Sequence, residues 1–140
     1  MNYRDLKEKH QKEVNDFPLF AAFSNEQFKK AMEERGLKET DTDKIIKIGC
    51  GCFILKKDRH LFHEMMDRHE EERKEALKDD EYIYTMFRYE LANHEYCITY
   101  DYEDTLEALG FTFEQVREDE RLYSALLKAK KDYLNNCENE

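Results

Sequence analysis

Only one proline and four glycines interrupt the 140 residues of this chain, and that scarcity constrains the fold more than any other feature. Glycine and proline are the residues that punctuate helices and turn meanders, so a chain nearly without them has little room for long loops or an all-β arrangement. Eighteen residues are Phe or Tyr, and they recur at helical spacing, which supplies apolar stripes to bury. That argues against disorder, although 40% of the residues are charged where about a quarter is usual. The expected class is mostly α: a compact bundle of about five to seven helices with one small β-hairpin, in a single domain over residues 1–140.

Local signals place the elements. Tyr3, Leu6, His10, Val14 and Phe17 make the stripe of a first helix over Tyr3–Asn15, which Pro18 ends. Ser24 can cap a second helix with Gln27 at its third position, Phe23 can staple against Phe28, and Gly36 stops it. Ile45–Ile48 and Cys52–Leu55 flank Gly49-Cys50-Gly51 as a hairpin, a marginal structure unless something covers it. The longest helix is expected over Asp58–Leu77. His69 falls on its apolar face, while His60, His63, Glu64 and Asp67 lie opposite. A helix over Glu81–Tyr96 turns Ile83, Phe87, Leu91 and His94 inward, and a short one over Tyr102–Leu109 stops at Gly110. Thr112 with Gln115, and Phe111 with Val116, repeat the cap and staple before a last helix with Leu122, Leu126, Ala129 and Tyr133 in its stripe.

The net charge of −10 is uneven. Residues 1–57 carry +2 and residues 58–140 carry −12. Asp101, Glu103, Asp104, Glu107, Glu114, Glu118, Asp119 and Glu120 face a single base, Arg117, within 101–120. A field of that sign repels phosphate and attracts basic surfaces, so these eight acids are the candidate partner-binding residues, with a basic protein as partner and no direct nucleic-acid binding. No apolar run approaches the ~18 residues that span a bilayer, and the N-terminus lacks the apolar stretch of a signal peptide. The expectation is a cytoplasmic protein without a membrane partner, whose four cysteines are thiols or metal ligands.

Cys50-x-Cys52 in the expected hairpin turn and His94-x-x-Cys97 at a helix end form the candidate metal site. Zinc takes four thiolate or imidazole ligands in a tetrahedron. A Gly-flanked turn lets two thiolates converge, and helical positions three apart face the same way. Buried thiols and a hydrogen-bonded core histidine are the structural alternative, and His69 is the reserve ligand. His60–Asp67 is compared with the H-E-x-x-H helix of metalloproteases, but Asp67 replaces the second histidine. Ser24 and Ser124 are the only serines, and neither a G-x-S-x-G turn, a dinucleotide fingerprint nor a P-loop is present. The reading is therefore non-enzymatic. Tyr82, Tyr84, Tyr89, Tyr96, Tyr100 and Tyr102 crowd residues 82–102, and Tyr82, Tyr84 and Tyr89 cannot all face inward on one helix, which fits a protein interface as well as it fits bridging between core and water.

Across Phe87-Arg88-Tyr89-Glu90-Leu91-Ala92-Asn93-His94-Glu95-Tyr96-Cys97, and on through Tyr100-Asp101 to Leu109-Gly110, the chain resembles small mobile-element proteins of Gram-positive gut bacteria. Anti-CRISPR inhibitors of type II RNA-guided nucleases come from that pool. The resemblance covers the C-terminal two thirds. It implies an inhibitory binding protein with a structural zinc that blocks a basic nucleic-acid-handling partner such as a CRISPR nuclease, whose channels are lined by Lys and Arg. A small metal-binding regulatory or scaffolding protein is the alternative, and a hydrolytic metalloenzyme on the His60–His69 helix comes third.

Overall fold

The first helix, α1 (Tyr3–Asp16), ends where the sequence places Pro18, and β1 (Leu19–Ala21) follows at once. Then come α2 (Asn25–Glu34), β2 (Ile45–Gly49), β3 (Cys52–Leu55), α3 (Arg59–Ala76) and α4 (Asp80–Asn93). The chain closes with the single-turn α5 (Tyr96–Thr99), α6 (Glu103–Leu109), α7 (Phe113–Glu118) and α8 (Glu120–Glu138). This computed structural model describes residues 2–138, except the side chains at positions 97, 99 and 138. The class is mostly α, with seven helices besides the single-turn α5 among the described residues. None of them is long and apolar enough to cross a membrane.

Contacts divide the chain into two compact units, one of residues 1–9 and 72–140, the other of residues 10–71. In the first, α4 and α8 pack together and bury Ile83, Phe87, Leu91, Leu126 and Ala129, with Leu6, Leu106 and Val116 closing the same cluster. α4 is buried on most of its circumference: Tyr82, Ile83, Met86, Phe87, Glu90 and Leu91 are all inside. Arg121 ties the start of α8 to the start of α4 through Asp80 and the carbonyls of Leu77 and Lys78. The caps are those the sequence signals. Thr112 and Gln115 form a reciprocal box at α7, and Gly110 ends α6 with φ +79°.

In the second unit the expected hairpin is present and gains a third strand. The sheet order is β1-β3-β2, antiparallel throughout, with Leu19 opposite Ile54 and Ile46 opposite the same residue from the other side. Three residues of β1 after a proline are too few to show a period-2 pattern, which is why only the long-range pairing reveals them. One sheet face carries Phe20, Ile45, Phe53 and Leu55 against Ala31, Met32 and Phe28 of α2. Ser24 caps α2 as expected, accepting from the Gln27 amide at 3.2 Å. Phe28 packs edge-on against Phe53, whereas Phe23 is 76% exposed and lies over the hairpin turn. Gly51 has φ +75°, a left-handed conformation that favours glycine, and a β-carbon there would displace the exposed Phe23 ring, 2.7 Å away.

Candidate functional site

Each of the eight acids at 101–120 belongs to the first unit and is exposed. Two have local structural work. Asp101 accepts the Glu103 amide at 2.8 Å ahead of α6, and Asp119 accepts the amides of Arg121 and Leu122 ahead of α8. The other six carboxylates, at Glu103, Asp104, Glu107, Glu114, Glu118 and Glu120, make no hydrogen bond or ion pair among the described residues. Elsewhere in the same unit acids are paired: Glu8 with Arg4, Glu75 with Lys78, Asp80 with Arg121. This unit carries 20 acids and 12 bases, a net of −8, against −2 for the other.

An aromatic ladder is built from the same stretch of the chain. Tyr96 stacks on Tyr102 at 4.9 Å and 10°, Tyr102 on Phe113 at 6.0 Å and 11°, and Phe113 leans on Tyr123 at 6.4 Å. Tyr96 is buried, and burial together with the neighbouring Tyr102 hydroxyl pushes its own hydroxyl up to about 12, so it stays neutral at physiological pH. Tyr100 meets Tyr96 edge-on and is 67% exposed, and Ile98 is 71% exposed. The single turn α5 that presents them has a left-handed residue at each end, Glu95 with φ 53° and Tyr100 with φ 54°. Non-glycine residues in that region are strained by about 1–2 kcal/mol each, and such strain concentrates where a surface serves binding.

The expected metal ligands divide between the units. Cys50 and Cys52 lie in the second, at the hairpin turn; His94 and Cys97 lie in the first. Cys50 is exposed and Cys52 half-buried, with its Sγ directed at the Cys50 carbonyl oxygen. His94 caps the end of α4 and sets Nε2 against Glu90 at 3.2 Å. The Cys97 side chain lies outside the described residues. Among those described, no three His, Cys, Asp or Glu side chains gather to hold an ion. His60 pairs with Glu64 rather than Asp67, on the solvated face of α3 where the helical period puts them.

Two further polar clusters centre on acids that the sequence does not single out, Glu90 and Glu13. Glu90, 1% exposed, accepts from the Tyr3 hydroxyl at 2.7 Å and from the Lys7 ammonium at 3.2 Å. Burial alone would raise its carboxyl; the Tyr3 hydroxyl and Lys7 outweigh that and hold it below the usual carboxylate range. Burial, then the bond to Glu90, pushes the Tyr3 hydroxyl far above its ordinary value. The only available signal was an acid within the inward stripe Ile83, Phe87, Leu91. In the second unit His69, the reserve metal ligand, is buried, stacks on His10 at 3.9 Å and bonds Glu13. Arg68 grips the same carboxylate at 2.7 Å.

Hydrogen bonds from Arg68 and then from His69 hold the Glu13 carboxyl down at about 2. A group depressed in the folded state contributes stability that is complete above its unfolded value, about 4.5, and lost as pH falls through the folded one. The urea midpoint should therefore fall between pH 4.5 and 2. Glu13→Gln should cost about 1 kcal/mol at pH 6, a difference that vanishes by the acid end of that window. An undiminished gap at low pH would show that the ion pair is not its source.

The structure is that of a mostly α protein with a run of exposed acids over residues 101–120. The chain belongs to DUF7659, a family of unknown function, whose profile matches residues 2–132. No curated protein and no solved structure matches it.

Proposed function

We propose that the protein is a non-enzymatic acidic binding protein whose α5–α7 face docks on a basic protein surface and blocks it. The observation that carries this reading is the set of six exposed carboxylates without internal partners, beside a strained turn that holds Ile98 and Tyr100 out in solvent. Unpaired acids steer encounter with a basic surface, and exposed aromatic area supplies the short-range contact that charge alone lacks. A Lys/Arg-lined nucleic-acid channel, as in a type II RNA-guided nuclease, has the complementary chemistry. Inhibition by occupying such a channel is the finer form of the proposal.

The test is affinity capture from host lysate, followed by association kinetics with the purified partner. Association should slow at least tenfold between about 50 and 300 mM salt, because interactions between exposed charges are screened. A partner whose capture surface is not basic, or a rate indifferent to salt, would rule the reading out.

Zinc is the accessory part of this reading. Its support is that the Cys50 thiol is exposed at the turn, that Cys52 two residues on is only half-buried, and that Cys50 holds a left-handed conformation with φ 51°. Elemental analysis of protein purified without chelator should find about one zinc per chain, lowered by Cys50→Ser. Metal-free protein would remove zinc and leave the binding proposal standing.

A further inference from the structure

The second unit offers a different surface, of opposite sign. In the sheet order β1-β3-β2, β2 pairs with β3 on one side, and among the described residues no strand lies on the other. An uncovered edge presents a row of backbone donors and acceptors, the template on which extended peptides add a strand. Alongside this edge runs an open cavity of about 390 Å³. Ile46, Ile48 and Ile54 line its sheet side, and Phe62 of α3 lines it from across. The register shift between Lys47 and Gly49 sits at Ile48, so the edge bends where the cavity lies.

The rim is basic. Lys47, Lys56 and Arg59 border the cavity and are exposed, and their side chains make no hydrogen bond or ion pair among the described residues. Residues 44–59 contain five bases and one acid, in a chain whose net charge is −10. Lysines on an exposed edge also serve to keep other strands away. That role does not require an apolar cavity beside them, and it repels basic strands while leaving acidic ones attracted.

We propose that the free edge of β2 binds an extended acidic peptide of a partner protein as a fourth strand. One large apolar side chain of the peptide enters the cavity between Ile48 and Phe62, and flanking carboxylates meet Lys47, Lys56 and Arg59. Backbone pairing supplies affinity and the pocket supplies selectivity, since alternate side chains of an added strand point to the same face. The inference is independent of the acidic face, which lies in the other unit and takes a partner of the opposite charge.

The probe is a capped, labelled seven-residue peptide with a central phenylalanine, glutamate two residues to either side of it on the same face, and valine at the four other positions. Amide shifts in the ¹⁵N spectrum of the intact protein should be largest over Ile45–Gly49, and anisotropy should saturate below about 1 mM. The same peptide N-methylated at alternate residues on one edge keeps its charge and side chains but loses strand pairing. It should bind at least about tenfold more weakly to the unaltered protein. Lysine in place of the glutamates, or K47E with R59E in the protein, should weaken binding by a similar factor. No saturation, equal binding of the N-methylated peptide, equal binding of the lysine peptide, or shifts centred away from β2 would each overturn the proposal.

Discussion

Glu90→Ala should destabilise the first unit by about 3–5 kcal/mol, the loss typical when one partner is removed from a buried ionic cluster. The side chain is 2% exposed and is the common acceptor for Tyr3, Lys7, Asn93 and His94. Truncation leaves the half-buried Tyr3 hydroxyl and the Lys7 ammonium without their acceptor. It also releases the N-terminal turn of α1, whose other polar tie is the Tyr3 amide to the Thr85 hydroxyl at 3.1 Å. Glu90→Gln keeps the shape and one acceptor oxygen, so it should cost only about 1–2 kcal/mol. At about 3 °C per kcal/mol for a chain of this size, melting should fall by roughly 10–15 °C for the alanine variant. Tyr3→Phe in the Glu90→Ala background should add little, because the bond is already gone. Additive losses would show that Tyr3 and Glu90 act independently, and a melting point within 3 °C of the parent would dismiss the cluster as a stabilising element.

Reversing Glu103, Asp104 and Glu107 to Lys should slow association with the basic partner by about 10- to 100-fold while leaving the melting point within a few degrees. The three carboxylates lie on α6, exposed and without internal partners, so their loss removes no intramolecular bond. The first turn of α6 loses two acids that favour its dipole, Glu103 and Asp104, at a cost of about 1 kcal/mol. The matched control is Glu33 and Glu34 reversed to Lys on α2, equally exposed but in the other unit. Both variants shift the net charge from −10 alike per substitution, so a drop with the control as large as with the α6 triple would mean total charge rather than this face governs binding. Unchanged association in both would shift attention to Ile98 and Tyr100, the apolar group held out by α5.

Whatever depends on near neighbours is legible along the chain. The helix at Tyr3, the Ser24 and Thr112 caps, the hairpin at Ile45–Leu55 and the stop at Gly110 arise from contacts within a few residues, where propensity and period decide. The eight acids were legible as a surface for the same reason: eight acids against one base in 20 residues cannot be buried. Tertiary structure alone decided the rest. β1 exists because Leu19–Ala21 meets Cys52–Ile54 more than 30 residues away, and nothing local in three residues announces that pairing. Glu90 and Lys7 come together across 83 residues, and Glu13 and Arg68 across 55. A buried carboxylate is affordable only where donors from another helix converge on it, and that convergence is a property of packing. Spacing along the chain can nominate ligands, but only the path of the chain in three dimensions determines which side chains share a neighbourhood.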